Sequence, residues 1–391
     1  MATGKPILIA GGGIGGLALA LALAKRGRGS IVLERQEEFA AAGAGIQIGP
    51  NGVRALQRLG VAQALQAYAG EPEAIVVHDG TSGRALARLP LGIWISNRQG
   101  APYWVAHRGD LHRVLLDAAI SDPHIAIRTG FDVIEPSQTE TEATAGDRSG
   151  MCFTGPALIG ADGLWSAVRQ SFAPTPAPEF AGATATRAVI PAAQAGRLAL
   201  PAVGLWLSPQ AHVVHYPVRG GSDIAVVVIA RESWQGREWD SAADATTLLA
   251  QVASFHPSLT DVLGRVASWR KWALYTLPPL QVWARGRVAL LGDAVHPMLP
   301  YLAQGGAFAM EDALVLAHCL CTSEDVPGAL LGYQSLRRER ARRVQAASVR
   351  QGNIYRLSPP LSYARNAVLQ LTPGALLMGR LDWLYGWQPP A

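Results

Sequence analysis

The run Ile7-Leu8-Ile9-Ala10 passes directly into Gly11-Gly12-Gly13-Ile14-Gly15-Gly16 and then into an Ala/Leu-rich stretch. A strand, a G-x-G-x-x-G turn and a helix in that order mark the opening of a dinucleotide-binding β-α-β unit. Gly11 permits the tight turn, Gly13 lets the backbone approach a pyrophosphate, and Gly16 lets the helix pack closely on the strand. Ile14 and Gly15 start that helix, whose N-terminus faces the phosphates. Glu34 ends the next apolar run, Ile31-Val32-Leu33, with Arg35 beside it, and an acid there suits the ribose hydroxyls of an adenine dinucleotide.

Two later turns have the same form. Leu158-Ile159 enters Gly160-Ala161-Asp162-Gly163, followed by Ser166 and Arg169, and Val288-Ala289-Leu290-Leu291 enters Gly292-Asp293-Ala294-Val295-His296-Pro297. Taken singly, Asp162 would be an ordinary strand-end turn and Asp293 an N-cap or Asx-turn. Three such turns in one chain are far more specific than any one. Residues 43–60 read as a glycine-rich loop, containing Gly45 and Gln47, that leads into a short amphipathic helix ending at Leu59-Gly60. Strand-like runs follow at 74–77, 85–89 and 103–106. The last leads through His107-Arg108 into a helix and marks a return to the main sheet. Residues 125–128 and 132–134 are expected strands, and 136–150 a hairpin loop.

A Pro/Ala-rich passage, 173–183, suggests a boundary. Beyond it, runs at 203–207, 212–218 and 224–229, separated by short turns, predict an antiparallel meander able to cover a ligand with one face. Within it, His212 and Tyr216 share one face of a strand by their even spacing, with Cα atoms ~13 Å apart, and His215 lies on the other. Two side chains so placed can converge on opposite ends of one small ring; the bland reading of a lone strand histidine is structural. A long helix is expected at 305–320, and the chain from Leu330 is mostly helical.

Composition narrows the class. The chain has 391 residues, 49% of them hydrophobic, enough for two or three domains around a large core. The net charge of +5 is spread widely, so nucleic acid is not an expected partner. The one cluster, Arg337-Arg338-Glu339-Arg340-Ala341-Arg342-Arg343, reads as a solvated helix face. A mildly basic cleft would draw in anionic substrates and pyridine nucleotides. Cys152, Cys319 and Cys321 have neither disulfide-framework nor metal-ligand spacing, so no metal is implied and a reducing cytoplasm is expected. No apolar run is long enough for a membrane span.

The three signatures together resemble the class A flavoprotein aromatic hydroxylases, single-component FAD-dependent monooxygenases of aromatic-compound catabolism, over essentially the whole chain. His-x-x-x-Tyr-Pro at 212–217 and Tyr-Leu-Ala-Gln-Gly at 301–305 are similar to the group containing 3-hydroxybenzoate 6-hydroxylases, 6-hydroxynicotinate 3-monooxygenases and salicylate hydroxylases. The resemblance implies an α/β, Rossmann-like FAD-binding domain with an inserted β-sheet substrate domain and a helical C-terminal tail. The expected division is 1–175 and 281–340 for the FAD domain, with substrate-side strands at 73–105, then 176–280 for the substrate domain and 341–391 for the tail.

By the same resemblance, Asp293 bonds the ribityl chain of FAD, and the loop at 297–306, with Gly305 and Gly306, passes beside the flavin ring. Asp162 serves FAD and the nicotinamide donor. Arg108 contacts the diphosphate and ribityl region, where the alternative is a surface salt bridge; Glu34-Arg35 binds adenosine, and Val133 meets adenine through its strand backbone. His212 is the base that deprotonates a ring hydroxyl and Tyr216 orients the substrate, with Pro300 and Tyr301 on the substrate side. Pro300 stands where relatives carry a substrate-holding Gln, a departure that leaves the ring open.

The implied reaction uses NADH or NADPH and O₂ to hydroxylate a small hydroxylated aromatic or pyridine carboxylic acid through a C4a-hydroperoxyflavin. No second G-x-G-x-x-G follows a strand, so the donor binds transiently or not at all. A salicylate-type or larger-ring hydroxylase, a non-hydroxylating FAD reductase or oxidase, and a FAD-binding sensor without turnover are the alternatives. A homodimer is the family expectation.

Overall fold

The computed structural model describes residues 4–39, 45–172, 175–234 and 240–390. Ile7–Ala10 is almost wholly buried in the middle of a six-stranded sheet. Across that sheet the order is Ala284–Arg285, Val288–Leu290, Leu158–Gly160, Ile7–Ala10, Ser30–Leu33 and Ile125–Arg128. All neighbours are parallel except the first pair. The helix Ile14–Ala24 packs against the helices Gly305–Cys321 and Arg108–Ile120 as well as the sheet, which is why its sequence is apolar all round.

A second, eight-stranded sheet runs Asp240–Ala242, Arg270–Thr276, Glu179–Pro191, Asp223–Arg231, Ala211–Val218, Ala202–Leu207, Ala74–Asp79 and Ala85–Pro90. It is antiparallel throughout except where Ala202–Leu207 pairs in parallel with Ala74–Asp79. The expected meander is its centre. Ala211 and Val213 pack with Leu248 and Leu259 of two short helices on one face. Tyr216 joins the core shared with the first sheet on the other. The helix Val326–Tyr355 and three shorter helices complete the chain.

Several local expectations are corrected. Residues 40–44 lie outside the described residues, but Gly45–Ile48 is a strand, pairing antiparallel with Trp104–His107 in a separate two-stranded sheet. The run before Arg108 therefore does not return to the main sheet. Residues 132–134 form no strand, because the Phe131 N–H bonds the Glu34 carbonyl and the Ile134 N–H bonds that of Gly146, which draws the chain across the sheet edge. Residues 136–150 are not a bare hairpin loop. Ser137–Gln138, Ala143–Gly146 and Cys152–Gly155 make a three-stranded meander. The Pro/Ala-rich passage ends inside the long strand Glu179–Pro191, whose small residues lie against two neighbours.

The largest correction concerns the arginine cluster. Arg337 is 1% exposed and fully paired: its Nε donates to Asp312 Oδ1 and its terminal nitrogen to Glu311 Oε2, both at 2.7 Å. Arg340 holds both oxygens of Glu311 at 2.8 Å and also donates to the Trp383 and Leu384 carbonyls. Asn51 donates to Glu311 and Gln304, and His296 meets Asp312 at 2.5 Å. Burial works against the Asp312 charge, but His296 and Arg337 hold its carboxyl below the ordinary carboxylate range. Of the cluster's arginines, only Arg338, Arg342 and Arg343 are exposed. Arg337→Met leaves two buried carboxylates short of a partner, and should cost about 3–5 kcal/mol in denaturant unfolding. Arg350→Met, at an exposed position of the same helix, should change stability by less than about 0.5 kcal/mol.

Candidate functional site

The three glycine turns and Glu34 leave the carboxyl ends of four neighbouring parallel strands, the edge where open α/β sheets bind ligands. The first turn is glycine by necessity. Gly11 has φ +104, and a Cβ on it would stand 2.5 Å from the Ala161 carbonyl oxygen; one on Gly16 would stand 2.0 Å from that of Gly11. A Cβ on Gly13 would meet no atom within 4 Å, so this backbone faces open space. Ile14 begins the helix and Gly15 lies against Leu291 and Ala309, so the first turn packs on the third signature. Glu34 accepts from the Gly12 N–H at 2.8 Å and the Gln36 N–H at 2.9 Å, while Arg35 is exposed.

Asp162 accepts from the Val168 N–H at 3.1 Å through Oδ2, while its buried Oδ1 has no partner. Burial raises its carboxyl above the ordinary range. Arg169 donates to Leu164 O at 2.6 Å and Ala294 O at 2.8 Å, tying the second signature to the third. Asp293 lies in the short 3-10 turn Gly292–Ala294 and makes no hydrogen bond to the described chain. The N-cap alternative is thus not realised. Its carboxylate opens to the cleft, yet surrounding protein raises its pKa, opposed by His296 and Arg108. Arg108, exposed at the start of its helix, forms no ion pair among the described residues, against the salt-bridge alternative.

The other expected cofactor contacts divide. A Cβ on Gly306 would be 3.0 Å from Ile46 and 3.8 Å from Ile14, so the helix start at Gly305 meets the first turn and the Gly45–Ile48 strand. A Cβ on Gly305 would meet nothing within 4 Å. Gln47 accepts from the Tyr103 hydroxyl at 2.8 Å. Val133 is buried and outside any strand. The starts of the helices Ile14–Ala24 and Gly305–Cys321 lack side-chain caps, leaving amides free for an acceptor. These features fit an extended dinucleotide: open backbone at Gly13 and Gly305, uncapped helix starts, and an unpartnered Asp162 oxygen.

The Ala211–Val218 strand bounds the same region. Gly45 lies against Tyr216, where a Cβ would be 2.4 Å from the ring. His212 is 1% exposed, and its Nδ1 has no partner. Its ring centre lies 5.5 Å from that of Tyr301 and 5.2 Å from that of Tyr355. Pro300 starts the turn Pro300–Leu302, which ends at Ala303 with φ +52. Tyr301 packs with Leu299, Ala183 and Ile229. Tyr355 and Arg356, at the end of the long helix, carry no sequence motif and were not among the expected site residues. His215 faces the other side against Gly204.

Burial, aided by Arg356, lowers His212 to about 3, and burial with His78 lowers His215 to about 3. Both stand at 6.5 when exposed, so their neutral-state stabilisation is complete above pH 6.5 and is lost as pH falls from there towards 3. The melting midpoint should fall over that window. The double variant His212→Asn/His215→Asn should show a shallower fall; an equal slope would assign the acid sensitivity to other groups.

A family model described as FAD binding domain matches residues 5–348. The 3-hydroxybenzoate 6-hydroxylase of Klebsiella oxytoca is 34% identical, with 99% of this chain and 98% of the relative covered. The 6-hydroxynicotinate 3-monooxygenase of Pseudomonas fluorescens is 33% identical, covering 89% and 91%. The structure of Klebsiella pneumoniae HpxO complexed with FAD and uric acid superposes with a TM-score of 0.88 at 25% identity, covering 98% and 97%. With a whole-chain match of this extent and a sheet edge shaped for a dinucleotide, the chain belongs to the FAD-dependent aromatic hydroxylases, flavoprotein monooxygenases built on the FAD-binding domain.

Proposed function

We propose that this enzyme hydroxylates a small ring bearing both a hydroxyl and a carboxylate, of the 3-hydroxybenzoate or 6-hydroxynicotinate kind, with NADH or NADPH as transient donor. The balance is ring–H + O₂ + NAD(P)H + H⁺ giving ring–OH, H₂O and NAD(P)⁺. The carrying observation is the buried, unpartnered Nδ1 of His212, whose ring packs against those of Tyr301 and Tyr355 on the strand face shared with Tyr216. The names of the similar proteins support the substrate class.

FAD supplies the electron transfer and oxygen activation. Glu34 and the 11–16 turn would hold its adenosine and diphosphate, with Arg108 as a forked donor to phosphate oxygens. Arg35 and Val133 would stand at the adenine end, a reading that only the family resemblance supports. Asp293 would accept from ribityl hydroxyls, and Asp162 offers its free oxygen to the same cofactor or the donor. Amides at Gly305-Gly306 would stabilise negative charge developing on the flavin. Gly45 and Gln47 would line the cofactor's substrate side, next to Tyr216 and Tyr103.

On the substrate side, His212 is neutral at pH 7 and its Nδ1 can accept the ring hydroxyl proton. A buried imidazolium is costly there, so it is stable only with the phenolate held beside it. That pairing couples deprotonation to a bound, correctly placed ring, whose electron density then favours attack by the activated oxygen. Tyr216, kept protonated by burial, can donate to the other end of the ring. Pro300 and Tyr301 would close the flavin side, without an amide side chain at 300.

FAD-loaded protein should oxidise NADH faster with 3-hydroxybenzoate, salicylate or 6-hydroxynicotinate, giving stoichiometric hydroxylated product. Uric acid belongs in the panel because of the HpxO likeness. Peroxide alone, with every ring, would refute hydroxylation. His212→Ala should lower turnover by ~10²–10⁴-fold with FAD still bound. In the parent enzyme kcat/KM should show no limb near pH 6.5, the exposed histidine value, because the free-enzyme base titrates far lower. Asp293→Ala should release FAD on gel filtration; full flavin retention would remove its assigned role.

A further inference from the structure

Arg356 stands at the rim of the aromatic enclosure around His212. It follows Tyr355 directly, at the end of the helix Val326–Tyr355. Tyr301 links the two groups: its ring centre is 5.5 Å from the His212 ring centre and 5.4 Å from the Arg356 guanidinium carbon. The guanidinium is half-buried, and its Nε donates to the Gly352 carbonyl at 3.1 Å. Among the described residues it forms no ion pair.

The contrast with other arginines of this helical region is chemical. Arg337 and Arg340, several turns earlier on the same helix, are saturated by carboxylates, and Arg365 is committed to the Ile354 and Tyr355 carbonyls and to Asn366. Arg356 keeps a planar pair of terminal donors without an acid, and the Tyr301 ring it touches also packs on His212, whose Nδ1 is buried without a partner. Holding an unneutralised guanidinium in partly desolvated surroundings is costly, and an anion that arrives with its own forked acceptors offsets that cost.

We propose that Arg356 is the residue that recognises the carboxylate of the ring substrate, making this enzyme selective for ring acids over their neutral analogues. The proposal rests on the ring-acid reading of the preceding section and adds the group that reads the acid. The aromatic walls of Tyr301 and Tyr355 hold the ring by shape, Arg356 takes the carboxylate, and the hydroxyl is left to His212. Pairing also cancels the positive charge that opposes protonation of His212, so an acid substrate prepares its own base where a neutral one does not.

The test is a binding titration of the FAD-loaded enzyme, followed by flavin absorbance and fluorescence without donor. The probes are 3-hydroxybenzoate, salicylate and 6-hydroxynicotinate, each beside its carboxamide. The parent enzyme should bind at least one acid more tightly than its amide. Arg356→Gln should weaken that acid by about 10–100-fold, the scale of a charge-assisted hydrogen bond, and leave the amide within twofold. Arg356→Lys should retain part of the preference, since it keeps the charge and loses the fork. Equal weakening of acid and amide in Arg356→Gln, or no weakening of either, overturns the proposal while leaving the hydroxylase reading intact. A parent enzyme that binds amides as well as acids overturns it too. If no ring acid perturbs the flavin of the parent enzyme, the ring-acid reading itself fails, and the role of Arg356 falls with it. Flavin content and melting midpoint of both variants separate lost recognition from lost folding.

Discussion

The pairing of Glu311 and Asp312 with Arg337 holds this molecule to one geometry. Two adjacent carboxylates on the helix Gly305–Cys321 are wholly buried, and each is costly without its guanidinium. Their partners come from three other places: the long helix through Arg337 and Arg340, the Gly-Asp loop through His296, and the helix after the Gly45–Ile48 strand through Asn51; Arg340 in turn donates to carbonyls of the C-terminal turn. A charge network of this kind tolerates little sliding, because a displaced partner leaves an unpaired buried ion. The helix that begins at Gly305 is thereby fixed against the first glycine turn, and the open amides at its start are held in one place.

A second constraint is the parity of the Ala211–Val218 strand. Even positions face the Gly45–Ile48 strand and the Pro300–Leu302 turn and odd positions the opposite side with the small helices, so His212 and Tyr216 share one face while His215 lies on the other. A one-residue slip would exchange them. The strand is paired along its whole length with Asp223–Arg231 and over 212–215 with Ala202–Leu207, which sets the register without any help from a ligand.

What could be read in the sequence follows from the range of the physics involved. The Gly11–Gly16 turn, the meander and the histidine–tyrosine face are local consequences of backbone geometry and side-chain alternation, and they are legible in a few consecutive residues. The burial of Arg337 is not, because its acids lie on another helix and the sequence around it looks like any solvated basic face. Glu179–Pro191 was hidden by its small residues, whose strand state comes from two long neighbours rather than from propensity. Gly45–Ile48 reads as loop for the same reason. Tyr355 and Arg356 are brought to the site only by the direction of a 30-residue helix, a tertiary fact with no local mark.

The order of strands in the six-stranded sheet also governs how the chain is made. Ile7–Ala10 has Leu158–Gly160 on one side, and that strand in turn waits for Val288–Leu290. The glycine turn is therefore synthesised well before those two strands and is among the last features to be enclosed. Until the helix Gly305–Cys321 arrives, the almost wholly apolar helix Ile14–Ala24 lacks its principal cover. Long-range closure of this kind folds slowly and leaves a nascent chain with exposed apolar surface for most of its synthesis. Such a topology favours early engagement by chaperones and makes the length of the growing chain itself a control on when the cofactor edge can exist.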